Sequence, residues 1–183
     1  MKNKIEYKGM KNILFVFIIA LLVASCGNTI YIVRHAEKET ANEMGTMKPA
    51  ADPPLSYEGN ERALLLKQIL GSKNVKHIFS TNTLRTISTA KPLKELYVGV
   101  PIQLYSSKTD SLTGFANKVK ALKKGNVLIV GHSNTVDDIV NTIAGVKHVA
   151  ADLKDAEYDN LFILKKRGKS YRFVNDKFGK RSQ

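Results

Sequence analysis

The chain contains a single cysteine, Cys26, among its 183 residues. One cysteine excludes a disulfide framework and any metal site built from several cysteines. Acidic residues are also scarce, with 16 Asp and Glu against 29 Lys and Arg and a formal net charge of +13. No basic stretch is interleaved with aromatic side chains, as it is in many single-strand nucleic-acid binders. The excess charge therefore indicates a solvated basic surface, and nucleic acid is not an expected partner. A field that attracts small anions is a weaker but compatible alternative.

The longest apolar stretch, ILFVFIIALLVA at residues 13–24, carries no charge and is short for a membrane span, which needs about 20 residues. Lysines precede it, and Val23-Ala24-Ser25-Cys26 closes it with small residues before the cysteine. The length fits a signal peptide, and the small residues resemble a bacterial lipobox. We therefore expect residues 1–25 to be a lipoprotein signal peptide, with translation starting at Met1 or Met10. The alternative is a plain signal anchor in which the cysteine is incidental.

This signal would make Cys26 the lipidated N-terminus of the mature chain. Several acyl chains buried in a bilayer hold a protein firmly, at about 0.8 kcal/mol per CH₂ group. We therefore expect a lipid-anchored protein outside the cytoplasm of a bacterium, in the periplasm or on the outer surface. The pattern does not say which membrane or leaflet holds the anchor.

Strand and helix patterns alternate from Thr29 onward. The alternation predicts one three-layer α/β domain over residues 26–175, with a doubly wound, mostly parallel sheet and helices on both faces. A closing hairpin is expected around Arg167-Gly168. Pro92 predicts an interruption of the helix that contains it. Residues 176–183 are expected to form a basic, frayed tail.

Basic and imidazole side chains follow three of the predicted strands: Arg34 and His35 after the first, Arg85 after the second, and His132 after the fourth. In open α/β sheets, ligands bind beyond the carboxyl ends of the strands, so these side chains should converge. Guanidinium groups bind phosphate bidentately. A neutral imidazole can attack phosphorus, and a second, protonated imidazole can stabilise the equatorial oxygens. This chemistry requires no metal and no other cofactor.

Four motifs in this order resemble the histidine phosphatase superfamily, also called phosphoglycerate mutase-like. The motifs are Val33-Arg34-His35-Ala36-Glu37, Leu55-Ser56-Tyr57-Glu58-Gly59, Ser80 through Arg85 with Thr89-Ala90, and Gly131-His132. The resemblance covers Ile30 to about Gly145. It implies that His35 is the phosphorylated nucleophile and that Arg34, Arg85 and His132 contact the phosphate. Asn134 matches a position that adds an amide contact in some members, although an N-cap role is an equal alternative.

The resemblance also implies a carboxylic acid that protonates the leaving oxygen. Asp110 is the first candidate because it follows the third strand, although it could instead cap a helix. Glu95, Asp137 and Asp138 are the other candidates, and some short members of the family have no evident acid. His77 and His148 are expected to be structural.

These features favour a phosphomonoester hydrolase that acts through phosphohistidine on a small ester or a phosphoprotein. A phosphoglycerate-type mutase is the second enzymatic interpretation. The lipobox and the absence of long insertions both argue against it. A surface lipoprotein that binds phosphate-bearing ligands without turnover is the alternative from a different class.

Overall fold

A computed structural model describes residues 27–41 and 51–182 of the chain. The predicted signal peptide and Cys26 lie outside the described residues, so their assignment stays a prediction. Within these two ranges, no helix has the length and apolar character needed to cross a membrane.

One six-stranded sheet organises the domain, with strand order β3-β2-β4-β1-β5-β6. Its strands are β1 (Thr29–Arg34), β2 (Val75–Ser80), β3 (Ile102–Leu104), β4 (Asn126–Gly131), β5 (Asn160–Arg167) and β6 (Ser170–Lys177). The helices are α1 (Tyr57–Leu70), α2 (Leu84–Leu96), α3 (Thr109–Ala121) and α4 (Val136–Ala144). The first four strands run parallel, and β5 and β6 form the antiparallel hairpin predicted around Arg167-Gly168. The predicted mostly parallel α/β fold is confirmed.

The central strand β1 shows how the sheet separates two cores, because successive side chains point to opposite faces. Ile30 and Ile32 pack into an apolar cluster with buried residues of α3 and α4. Tyr31 and Val33 pack into a second cluster with buried residues of α1 and α2. Helices therefore cover both faces of the sheet, as the alternating pattern predicts.

The glycine of the Leu55–Gly59 motif lets α1 approach the segment that follows β1. The Ser56 hydroxyl caps α1 by accepting a hydrogen bond from the Gly59 amide at 3.2 Å. A Cβ atom at position 59 would lie 2.0 Å from the carbonyl oxygen of Glu37. Any side chain here would therefore push α1 away from the backbone that carries His35.

The predicted interruption at Pro92 is wrong, because α2 continues through Pro92 to Leu96. A proline inside a helix removes one backbone hydrogen bond and costs about 3 kcal/mol or more. Ala90 and Leu93 on either side of it are fully buried against the sheet. The Tyr97 hydroxyl also donates to the backbone carbonyl of Leu70 at 3.0 Å, which fixes the end of α2 against α1. Tertiary packing on both sides of the proline outweighs its local cost.

The prediction of a frayed tail is also wrong for the described residues. Strand β6 extends to Lys177, and residues 178–182, here called the C-terminal segment, dock against the domain. Phe178 is buried, and the Arg62 guanidinium donates to the backbone carbonyls of Phe178 at 2.6 Å and Lys180 at 2.9 Å. The Ser182 hydroxyl donates to the Asp159 carboxylate at 2.8 Å. Specific polar contacts therefore order a segment whose composition alone looks like a solvated tail.

Candidate active site

The carboxyl ends of β1, β2 and β4 meet at one edge of the sheet, because Arg34 lies opposite Gly131 and Ser80 opposite Val130. A cavity of about 400 Å³ opens at this edge. The structure brings five of the predicted site residues together in its lining: Arg34, His35, Arg85, His132 and Asn134. Their expected convergence at the strand ends is therefore observed, while their chemical roles remain predictions.

His35 is held in the tautomer that a nucleophile requires. Its ring is buried, and Nδ1 lies 2.8 Å from the Ala36 carbonyl oxygen. Because a carbonyl oxygen only accepts, Nδ1 carries the proton and Nε2 carries the lone pair. Burial, together with the positive charges of Arg34 and Arg85, lowers the pKa of His35 to about 3, despite the opposing effect of the bond to Ala36. The ring is therefore neutral at neutral pH, with Nε2 free to attack an electrophile.

The ring of His132 lies edge-on to that of His35, with 5.5 Å between the centroids. Its Nδ1 faces Arg85 Nη2 at 3.4 Å, and its Nε2 lies 2.8 Å from the Thr81 hydroxyl oxygen. Arginine only donates, so Nδ1 is the acceptor and Nε2 donates to Thr81. The Thr81 hydroxyl in turn donates a hydrogen bond to Thr86 Oγ1 at 3.0 Å. This tautomer depends on Thr81, which the sequence motifs do not single out.

The protonated second imidazole, His132, stays a prediction, and the charges around the ring bear on it. Burial, and then the charges of Arg85 and Arg34, lower the pKa of His132 to about 4. Both imidazoles are therefore neutral at neutral pH. A phosphate dianion placed among them would raise both pKa values, because a nearby negative charge favours the protonated form. We infer that any charge on His132 would come with the anion.

The guanidinium of Arg34 is clamped by residues 154–158, here called the clamp loop. Its Nη1 donates to the backbone carbonyls of Lys154 at 2.8 Å, Asp155 at 2.9 Å and Glu157 at 3.2 Å. The guanidinium carbon lies 4.0 Å from the centroid of the Tyr158 ring, within cation–π distance. Burial lowers the pKa of Arg34, and Tyr158 and the carboxylate of Asp155 partly offset that effect.

This clamp leaves part of Arg34 available. Its Nε is buried and has no hydrogen-bond partner among residues 27–41 and 51–182. A buried N–H group without a partner is costly, at about 1–3 kcal/mol. An oxyanion in the cavity could accept from such a group, which fits the predicted phosphate contact.

Arg85 is oriented by Asp52, a residue that the sequence motifs do not identify. Arg85 Nη1 pairs with Asp52 Oδ1 at 3.0 Å. Asp52 Oδ2 accepts from the Leu84 amide at 2.7 Å, at the start of α2, where the N-cap residue Thr83 makes no side-chain cap bond. Asp52 therefore caps the helix from a distant loop and holds the guanidinium that reaches His132.

The predicted general acid, Asp110, is not among the residues that line the cavity, although Ser107 and Lys108 of the same loop are. Its carboxylate accepts from the Ser111 hydroxyl at 2.9 Å. The helix-cap alternative is wrong, because α3 begins at Thr109 with Lys108 as its N-cap residue, which places Asp110 in the first turn. A role for Asp110 as the acid stays a prediction.

The other acid candidates also lie outside the lining of the cavity. Glu95 is exposed and pairs with Lys91 on α2, while Asp137 and Asp138 lie in the first turn of α4. Asp155, which the sequence does not point to, does line the cavity.

Asn134 is exposed at the mouth of the cavity, and its N-cap alternative is wrong because Thr135 is the N-cap residue of α4. Its contact with phosphate stays a prediction. His77 and His148 lie outside this cavity, as expected for structural residues: His77 Nε2 is 3.1 Å from the Lys124 carbonyl, and His148 stacks on Phe173. In the part of the chain that the structure describes, no group of three or more His, Cys, Asp and Glu side chains is placed to hold a metal ion.

Comparison with known families gives one match in sequence. Residues 30–107 match the model of the histidine phosphatase superfamily, branch 1. This span contains the first three of the four motifs above. No curated protein shows significant sequence similarity to the chain.

Several solved structures share the fold. SixA of Agrobacterium tumefaciens, provisionally described as a phosphohistidine phosphatase, is 15% identical with a TM-score of 0.59, over 84% of this chain and 99% of that one. A mycobacterial glucosyl-3-phosphoglycerate phosphatase is 14% identical with a TM-score of 0.60, over 83% and 98%. An Escherichia coli protein provisionally described as an alpha-ribazole-5'-phosphate phosphatase is 14% identical with a TM-score of 0.61, over 83% and 98%. These neighbours show the fold, and the finding that points to the histidine phosphatase superfamily is the family-model match over residues 30–107.

Proposed function

We propose that this chain is a phosphomonoester hydrolase that works through a phosphohistidine intermediate on His35. The observation that carries the proposal is the tautomer of His35, which the Ala36 carbonyl fixes so that Nε2 holds the lone pair. The family-model match and the phosphatases among the structural neighbours support a phosphatase.

The surrounding cations suit a phosphoryl group. Arg34 and Arg85 offer guanidinium N–H groups at the mouth of a cavity that His35 and His132 share, and guanidinium forks bind phosphate oxygens with charge-assisted hydrogen bonds. Nε2 of His35 attacks phosphorus, the bond to the leaving oxygen breaks, and the phosphoryl group moves to the ring. Attack by water on that phosphohistidine releases inorganic phosphate and restores the neutral imidazole.

The test is to trap the intermediate. The protein is mixed with ³²P-labelled p-nitrophenyl phosphate and quenched in alkali, in which phosphohistidine survives. We expect up to one label per chain, acid-labile and located on the peptide that contains His35. Turnover without a trapped label, or with a label on another residue, would contradict the mechanism.

A second assay, in which the same protein is given a panel of phosphate esters, separates the alternative functions. Release of inorganic phosphate supports the hydrolase, and transfer of phosphate between two phosphoglycerate positions would indicate the mutase. Binding of inorganic phosphate without turnover of any ester would indicate a binding protein. No contact among the described residues favours the mutase or the binding protein.

We also propose that the chain is lipid-anchored through Cys26 outside the cytoplasm, on the basis of the uncharged run 13–24 and the small residues before the cysteine. Expression in a bacterial host with labelled palmitate should label the wild type and fractionate it with membranes. Cys26→Ser should lose the label and shift to the soluble fraction, with Ser25→Ala as the matched control that keeps both. A wild type that takes up no label refutes the lipobox, even if it sediments with membranes.

A further inference from the structure

The clamp loop contributes an acidic residue, Asp155, to the lining of the cavity. Asp155 lines the cavity together with Arg34, His35 and His132, and it is the one acidic residue among the described residues of that lining. The remaining ionisable side chains of the lining are all bases or imidazoles. A carboxyl group placed among them stands out, because it would repel a phosphate unless it held or moved a proton.

The position of Asp155 is fixed by the same contacts that clamp Arg34. Its backbone carbonyl oxygen accepts from Arg34 Nη1 at 2.9 Å. The loop is closed by the Glu157 amide, which donates to the Lys154 carbonyl at 2.9 Å, and by the Tyr158 amide, which donates to the Ser182 hydroxyl at 3.0 Å. The backbone of Asp155 is therefore tied to a guanidinium that belongs to a residue of the cavity lining.

The carboxylate of Asp155 acts on Arg34 through its charge and not through a hydrogen bond. The residue is exposed, and its carboxylate has no hydrogen-bond or ion-pair partner in residues 27–41 and 51–182. The other carboxylate near the site, Asp52, is occupied by Arg85 and the Leu84 amide. Asp110 accepts from Ser111 and does not line the cavity. Asp155 is thus the acidic residue that lines the cavity, and its carboxylate has no hydrogen-bond or ion-pair partner among the described residues.

We propose that Asp155 is the general acid and base of the reaction, an inference that rests on the proposed hydrolase function. In the first step, His35 Nε2 forms a bond to phosphorus while the bond from phosphorus to the ester oxygen breaks. The protonated Asp155 carboxyl gives its proton to that oxygen, which leaves as an alcohol. In the second step, the Asp155 carboxylate takes a proton from the attacking water, the phosphorus–nitrogen bond breaks, and inorganic phosphate departs.

The test uses leaving groups of different basicity. Alkyl phosphates release a strongly basic alkoxide that needs a proton, whereas p-nitrophenyl phosphate releases a stable phenolate that does not. The kcat/KM value reports the first step up to cleavage of the ester bond. We expect Asp155→Asn to lower kcat/KM for an alkyl phosphate by about 10²-fold or more. For p-nitrophenyl phosphate, we expect a change of less than about threefold in kcat/KM, because proton transfer contributes little there.

Asparagine at this position keeps the backbone carbonyl that holds Arg34, so a merely structural role predicts a different result. An equal loss of kcat/KM for both esters would show that Asp155 only supports Arg34, and would overturn the proposal. Asp176→Asn, at an exposed position of β6 outside the cavity, is the matched control and should change neither value. Asp110→Asn tests the competing candidate, and a selective loss for alkyl phosphates in that variant would overturn the proposal and move the acid to Asp110. The alkali-stable label on His35 should still form in Asp155→Asn. Its absence from the wild type would instead refute the proposed function.

Discussion

Replacement of His35 by alanine is expected to lower kcat for any phosphomonoester by about 10⁴-fold or more, since removal of a nucleophile abolishes the covalent route. The loss should be this large because Nε2 is the reacting atom, and no other described imidazole has the same environment. His132 lies beside it, but its Nε2 proton is committed to Thr81 and its Nδ1 faces Arg85. Rates of phosphate release from p-nitrophenyl phosphate give the measurement.

His148→Ala is the matched control, because that ring stacks on Phe173 outside the cavity. Its turnover should match that of the wild type. Thermal unfolding of His35→Ala should show an intact domain, because the substitution opens space into an existing cavity rather than into either apolar core. Residual activity above roughly 1% of the wild-type rate would mean that another group carries the phosphoryl transfer.

The convergence of His35, Arg85 and His132 is predictable from the sequence because it depends on strand direction alone. Each follows or closely follows a parallel strand, and the carboxyl ends of parallel strands share one edge of the sheet. The periodicity of each strand and the order of the motifs show which residues lie at the ends of the strands. The sequence therefore predicts which side chains meet, although it does not predict their tautomers.

The partners of these side chains are less predictable because they come from distant, irregular segments. The backbone carbonyls that bind Arg34 come from residues 120–123 positions later in the chain. Any residue type could supply a backbone carbonyl, so no pattern in the clamp loop marks the contact. Asp52 likewise contacts α2 across 32 residues from a proline-containing loop. Such contacts depend on the path of the loops, which local preferences do not determine.

The wrong helix boundaries have a related cause. Residue preferences alone predict helix N-caps at Asp110 and Asn134 and a helix break at Pro92. In the structure, Lys108 and Thr135 are the N-cap residues, and neither uses its side chain to cap the helix. Caps contribute about 1 kcal/mol, which is small beside the burial of Phe115 or Ile139 in the core. The packing of a helix on the sheet therefore selects its first residue.

Replacement of Arg62 by methionine is expected to produce the largest loss of stability among the described polar residues, about 3 kcal/mol. Arg62 is buried in α1 and makes three hydrogen bonds to the Glu37 carboxylate, at 2.7–3.0 Å. It also donates to the Phe178 and Lys180 carbonyls, and so joins the motif around His35 to the C-terminal segment. Methionine conserves much of the volume but leaves a largely buried carboxylate and two carbonyls without partners.

Urea unfolding measures the loss, and a Tm lower by roughly 6–12 °C should accompany it in a domain of this size. Arg167→Met, at an exposed hairpin position, is the matched control and should stay within about 0.5 kcal/mol of the wild type. Combining Arg62→Met with Glu37→Gln should cost less than the sum of the two single losses, because the neutral amide no longer leaves a charge unpaired. Strictly additive losses would show that the ion pair is not what holds α1 to the segment after β1. A loss below about 1 kcal/mol in Arg62→Met would show that Arg62 does not stabilise the segment that carries His35.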